Sequence, residues 1–186
     1  PIRTFIGTTS PIPGILNQFL KKDLAFSDDR RAGNYYRKVG DQRLLWGRGI
    51  SAMGKNRMKT LRFDIYDDIR RFYPDLVYQM KETGGFSIEY TWAGKMAYSF
   101  SMMPYVGAMS KRVYSLTGFG GHGMNTAPIS AILLAEHLLG SSNRISIFKK
   151  IPRQWNGGIF GAMMAEAQYA LMNVQDRYNI SKAMHY

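Results

Sequence analysis

Between Val113 and Gly140 a short apolar strand, VYSLT, runs into four glycines within six residues, GFGGHG, and then into a helical pattern. No other stretch restricts the fold as strongly. Glycine at this density lets backbone N–H groups approach a ligand with no Cβ in the way, and it permits the positive φ values of a sharp strand-to-loop turn. Asn125 or Thr126 is expected to cap the helix, and Pro128 suits its first turn. Ile129, Ile132, Leu133 and Leu139 then recur at helical spacing until Gly140 stops it. Strand, glycine loop and helix N-terminus together make a cradle for an anionic or electron-rich group.

Gly118, Gly120 and Gly123 match the letter of the dinucleotide fingerprint G-x-G-x-x-G. That fingerprint also requires an acidic residue at the end of a second strand about 20 residues on, to hold a ribose. Glu136 stands at that distance but inside the helical pattern, and the next candidate strand, Arg144 to Phe148, ends in Lys149 and Lys150. The match is therefore not read as a pyrophosphate loop. The plainer alternative is a turn that packs a helix on a sheet.

At 186 residues the chain is long enough for a sizeable core, and 45% of it is hydrophobic. No apolar run reaches the length of a membrane span and no leader pattern opens the chain, so neither membrane insertion nor export is expected and the setting is read as cytoplasmic. The absence of cysteine excludes disulfides and thiolate zinc sites within these residues. His122, His137 and His185 are too scattered for a metal site, and none is expected. The net charge of +12 admits nucleic acid or an acidic partner. Its densest groups, Lys55 to Arg62, Arg70 with Arg71, and Lys149 to Arg153, lie on separate segments, which suits solvated faces and not a nucleic-acid site.

Arg3 to Thr9 reads as a strand ended by Ser10-Pro11-Ile12-Pro13-Gly14. Asn34 to Val39 and Arg43 to Gly47 form a hairpin with Gly40 and Asp41 in the turn. Tyr35, Tyr36 and Trp46 on it either line a pocket or pack the sheet. Arg57 to Phe72 places Leu61, Ile65, Ile69 and Phe72 on one face of a helix that ends at Pro74. Phe86 to Ala93 alternates as a strand and leads through Gly94 into KMAYSFSMMPYVG. In the tail, Phe160, Met163, Met164, Ala167, Leu171 and Val174 form a helical stripe expected to be core. The fold class expected is α+β: an antiparallel or mixed sheet from the strands near Arg3, Asn34, Arg43 and Phe86, covered by the Arg57 helix. The Val113 strand, glycine loop and helix attach to it.

The run GFGGHGMNTAPISAILLAEHLLG resembles the C-terminal segment of the D-amino-acid-oxidase-like flavin oxidoreductases, the family of glycine oxidase, sarcosine oxidase and γ-glutamylputrescine oxidoreductase. The resemblance extends over nearly the whole chain: Thr9-Ser10-Pro11-Ile12, Ser27-Asp28-Asp29-Arg30 before the tyrosine-rich hairpin, Arg43-Leu44-Leu45-Trp46-Gly47, and Trp92-Ala93-Gly94 followed by Pro104-Tyr105-Val106-Gly107. It implies that residues 1–104 belong to the substrate-binding domain, 105–140 to the FAD-binding domain, and 141–186 to a C-terminal helical extension. The chain is then read as the C-terminal part of a longer enzyme whose pyrophosphate loop lies elsewhere.

On this resemblance the cofactor is non-covalent FAD, with Gly118, Phe119, Gly120, Gly121, His122, Gly123 and Met124 beside its ring system. The substrate is a small-molecule amine or amino-acid derivative, with Tyr36, Trp92 and Met96 in its pocket. His122 is either a loop histidine donating to backbone or a flavin-facing group. Met96 stands where glycine oxidase has an arginine that grips the substrate carboxylate, and Asn125 stands near the flavin-edge lysine of sarcosine oxidase. The resemblance thus leans to the γ-glutamylputrescine branch, and no side chain is singled out as the catalytic acid or base. It further implies that the 186 residues alone bind FAD weakly or not at all, lack oxidase activity, and self-associate through the helix from Ile129 to Leu139. The alternative from another class is a non-enzymatic α+β interaction module with a basic surface; a hydrolase is the weaker reading, because no serine sits in a nucleophile elbow and His122 has no Asp partner at a recognisable spacing.

Overall fold

The computed structural model describes residues 1–183 except 31, 32, 41, 55, 56, 152 and 153, and for 177 and 179–183 the backbone only. Asp41, Lys55, Arg153 and His185 therefore lie outside the described residues. The chain forms two compact units, Arg3–Gly94 with Met163–Tyr186, and Pro1–Ile2 with Lys95–Ala162.

The first unit is built on a five-stranded sheet in the order β2-β3-β4-β1-β5. Its strands are β1 (Ile2–Thr9), β2 (Ala25–Ser27), β3 (Tyr35–Val39), β4 (Arg43–Ser51) and β5 (Ile88–Met96). The β1–β4, β2–β3 and β3–β4 pairs are antiparallel. The β1–β5 pair runs the same way: Ser10 N–H donates to Ser87 O, while Gly7 lies beside Ile88 and Tyr90 and Thr4 lies beside Gly94. The α+β class and the four expected strands are thus observed, with β5 beginning two residues later than the alternation suggests. Between Val39 and Arg43 the hairpin turns on Gly40 at φ +56°, a conformation that glycine adopts without Cβ strain.

Helix α1 (Leu16–Phe19) follows the proline turn, whose Ile12 is fully buried with its N–H on Gln42 O at 2.7 Å. Helix α2 (Arg57–Phe72) has the expected bounds, and Leu61, Ile65 and Ile69 on one face meet Phe5, Leu44, Trp46 and Ile88 in the core. Each such side chain contributes about 1.5–3 kcal/mol by leaving water. Pro74 is also the first residue of a second helix, α3 (Pro74–Glu82), where its missing N–H costs nothing; Leu76, Val77 and Met80 extend the core.

Asp68 lies on the buried face of α2, and Arg48 of β4 reaches it at 2.7 Å and Asp64 at 2.9 Å. Burial raises the Asp68 pKa, against the pull of Arg48 and Arg30. Arg43 ties three strands by donating to Thr9 O at 2.8 Å and pairing with Glu89.

The tail forms α5 (Gly158–Ala183). From Met163 on, Glu166 fastens it to the turn after β4: its Oε2 accepts from Ser51 Oγ at 2.7 Å, Ala52 N–H at 2.7 Å and Met53 N–H at 3.2 Å. Arg57 stands 3.7 Å from Oε1. The predicted core stripe is not core, because Phe160, Met163, Met164, Leu171 and Val174 are 52–74% exposed. Periodicity identifies an apolar face but not what covers it; the half-buried side is instead Ala165, Glu166, Tyr169, Met172, Asn173 and Asp176.

Partial burial opposes ionisation of Glu166, but the hydrogen bonds from Ser51, Met53 and Ala52 and the charge of Arg57 outweigh it and lower its pKa. A carboxylate depressed in the folded state contributes fully above its unfolded pKa of about 4.3, and that contribution is lost as pH falls through the lower folded value. Glu166→Gln is therefore expected to destabilise the protein at pH 7 by about 1 kcal/mol. The gap in thermal midpoint between the two proteins should close as pH falls from 7 to 3; a constant gap would show that the carboxylate charge is irrelevant.

The second unit contains an antiparallel ribbon of β6 (Tyr105–Ser110) and β7 (Val113–Thr117), then α4 (Gly123–Leu138) and a 3₁₀ turn, Arg144–Lys150. Val106, Leu133 and Ile145 are its buried apolar side chains. Arg144 to Phe148 is thus not a strand; Arg144 is held back against α4 by Glu136 at 3.2 Å. The end of α4 is as expected: Gly140, at φ +69°, donates to His137 O and Ser141 N–H donates to Glu136 O, a Schellman closure.

Candidate functional site

The candidate site is the loop from β7 into α4. Gly118, Gly120 and Gly121 have φ of +79°, +58° and +89°, so the backbone doubles back in a conformation closed to branched residues. The loop is braced by the segment after β5: Gly120 N–H donates to Ala97 O at 2.9 Å, and Tyr98 forms a bridge with Phe119. A Cβ on Gly120 would lie 3.4–3.5 Å from the Tyr98 ring, and one on Gly121 would lie 3.2 Å from Met96 Sδ and 3.5 Å from Tyr98 Oη.

Helix α4 begins at Gly123, earlier than Asn125 or Thr126 can cap it. His122 is the N-cap; its N–H donates to Phe119 O, while its carbonyl accepts from the N–H groups of Asn125 and Thr126 and from the Thr126 hydroxyl. The tight turn at Gly121 and His122 lets the helix close this soon, and Pro128 consequently lies inside it. No side chain caps the N-terminus, so the Gly123 and Met124 N–H groups are left for an external acceptor. The His122 and Met124 side chains are exposed, and the imidazole donates to no backbone group among the described residues.

Tyr98, absent from the sequence reading, forms the floor of the loop. Burial raises its pKa, so the phenol keeps its proton at neutral pH and remains a donor. The signal was indirect: glycines lacking side chains must pack on something supplied from elsewhere. Beside the loop a cleft of about 510 Å³ runs from Tyr98 and Gly118 past Ser99 and Thr117 to Trp155.

The remaining pocket candidates are dispersed. Met96 touches the glycine loop as described. Tyr36 of β3 belongs to the other unit, stacked on Trp46 with centroids 4.5 Å apart and hydrogen-bonded to Tyr73 at 2.9 Å. Trp92 of β5 is 40% exposed and is separated from β3 in the sheet by β4 and β1. Trp46 is fully buried and packs the sheet.

Among the described residues no group of His, Cys, Asp or Glu is arranged to hold a metal ion, and no helix is long and apolar enough to cross a membrane. The geometry offers backbone donors and a helix dipole to an electron-rich edge that lies flat against glycine and tyrosine.

The family model described as DAO, FAD dependent oxidoreductase, matches residues 1–137. The chain is 27% identical over 154 residues to gamma-glutamylputrescine oxidoreductase of Escherichia coli K12, covering 82% of this chain and 34% of that protein. It is 25% identical over 181 residues to the probable oxidoreductase OrdL of Haemophilus influenzae, covering 96% and 39%, and 28% identical over 180 residues to OrdL of Rhizobium meliloti, covering 96% and 40%. The chain thus spans roughly a third to two fifths of the length of these relatives. No solved structure matches. The loop fits a flavin ring on its own terms: a Cβ would fill the cradle, the backbone donors suit the polar edge of the ring, and the phenol supplies a further proton. With a family model matching through the glycine loop and most of α4, this chain belongs to the FAD-dependent oxidoreductases of the DAO family.

Proposed function

We propose that the whole protein oxidises an amine or amino-acid derivative with non-covalently held FAD, and that residues 118–124 hold the ring system. The observation that carries this is the run of positive-φ glycines leading directly into an uncapped helix N-terminus, floored by Tyr98. When bound, FAD accepts the hydride equivalent from a C–H next to nitrogen. The Gly123 and Met124 N–H groups would then orient the polar edge of the ring, and Tyr98 would donate its proton without giving it up. Met96, at the loop, would border the substrate with an apolar thioether. Tyr36 and Trp92 are proposed for the substrate pocket and the setting is proposed to be cytoplasmic, while the 186 residues by themselves are proposed to self-associate through the α4 face bearing Ile129, Ile132 and Leu139.

A neutral Met96, with no charge to grip an α-carboxylate, favours a larger amine such as a γ-glutamylated polyamine over glycine or sarcosine. The full-length protein should be yellow, and anaerobic addition of γ-glutamylputrescine should bleach its flavin absorbance while glycine and sarcosine do so far more slowly. Absence of flavin, or bleaching by none of the three, would sink the proposal.

A further inference from the structure

The exposed face of α5 does not behave like a solvent face. Met164, Ala167, Leu171, Val174 and Tyr178 follow one another at spacings of three, four, three and four, the 3.5-residue period of a helix-pairing seam. All five are exposed, the four larger ones by 66–74%, on the side of the helix opposite the half-buried Ala165, Tyr169, Met172 and Asp176. Four large side chains at that exposure present on the order of 500 Å² of contiguous apolar surface, at the upper range for a monomer. The flanking positions beside the seam are Met163, Gln168, Ala170, Gln175 and Arg177, with a single charge among them. The Glu166 latch fixes the roll of this part of the helix on its own unit, so the seam is presented in one orientation.

We infer that this seam is a homodimer interface, in which α5 of one copy packs antiparallel on α5 of a second about a two-fold axis. The register that centres the seam sets Met164 of each copy opposite Val174 of the other, and Ala167 opposite Leu171, so at these two levels a larger side chain faces a smaller one. Joining two such faces removes on the order of 1,000 Å² from water, the threshold for a specific interface. Sparsely charged flanks matter because these 186 residues carry a formal charge of +12, and two copies of them meet most readily where that charge is not concentrated. A lipid surface is disfavoured by the same sparseness, since the helix offers no basic face to anionic headgroups. The helix also lies beyond residues 1–137, so the interface is not part of what the family model describes.

The test uses the full-length protein at a series of concentrations in light scattering. Wild type is expected to be dimeric, and Leu171→Glu is expected to raise the dimer dissociation constant on the order of 100-fold with its circular dichroism unchanged. These 186 residues hold no cysteine, and any in the rest of the full-length protein is first replaced by serine. A mixture of Ala167→Cys and Leu171→Cys proteins should therefore give a mixed disulfide dimer under mild oxidation, faster than either variant alone. An unaltered dimer in Leu171→Glu with no mixed crosslink would overturn the inference, because the interface would lie elsewhere. So would a monomeric wild type whose thermal midpoint falls in Leu171→Glu, which would mean that the protein's own chain covers the seam. A monomeric wild type that sediments with phosphatidylserine vesicles, and stops doing so in Leu171→Glu, would assign the seam to lipid instead.

Discussion

Valine in place of Gly120 or Gly121 in the full-length protein is expected to lower flavin affinity at least 100-fold, about 2.7 kcal/mol, and to leave the purified variants colourless. Two effects add. Both backbones sit at positive φ, +58° and +89°, where a branched side chain is strained by about 1–3 kcal/mol. The new side chain would also crowd the cradle itself: its first carbon already reaches 3.4–3.5 Å from the Tyr98 ring at Gly120 and 3.2 Å from Met96 Sδ at Gly121, so the two further methyls either push Tyr98 and Met96 aside or enter the space proposed for the ring. Gly140→Val separates the two effects, because Gly140 has a comparable φ of +69° with nothing within 4 Å of a built Cβ. That variant should lose some stability and keep its flavin. Flavin-to-protein absorbance ratios on all three variants decide the matter, and full occupancy in folded Gly120→Val and Gly121→Val would reduce the loop to a turn.

Trp46→Ala should cause the largest loss of stability from a single side chain. Trp46 is fully buried at the middle of β4, opposite Gly7 and Tyr36 in the ladders, and its ring lies parallel to Tyr36 at 4.5 Å and edge-on to Phe72 at 5.6 Å. Truncating such a ring costs about 3–5 kcal/mol, since neighbouring strands cannot collapse into the space it leaves. That is a large part of the total stability of roughly 5–15 kcal/mol expected of a domain. Phe26 and Tyr73 would lose packing as well, because both rest on Tyr36. Urea unfolding followed by far-ultraviolet circular dichroism should show the midpoint falling sharply, with Trp46→Phe recovering at least half of the loss. A change below about 1 kcal/mol would mean the aromatic stack is incidental to the fold.

Local signals were legible in the residues. The strands, the Arg57 helix and the hairpin turn at Gly40 follow from alternation, from Leu61, Ile65 and Ile69 at helical spacing, and from glycine where φ is positive. Each is decided within a few residues by sterics and by which face must leave water. The glycine run was equally plain, because residues with a Cβ rarely adopt those φ values, and the resemblance it carries leads to the family.

Tertiary structure decided the rest. Helix α3 was missed because Pro74 signals both the end of one helix and the start of the next, and only the burial of Leu76, Val77 and Met80 shows that the second exists. Arg144 to Phe148 reads as a strand, but it packs on β6 as a 3₁₀ turn without pairing, and Glu136 draws it against α4. The start of α4 at Gly123 depends on the turn that puts the His122 carbonyl above Asn125 and Thr126. Tyr98 became part of the site, and Glu166 a latch, through partners some 20 and 115 residues away in sequence, a distance over which local patterns carry no information. The α5 stripe marks the same boundary: its spacing belongs to the sequence, but whether such a face is core or surface depends on which elements pack against it, and that is fixed only when the chain has folded.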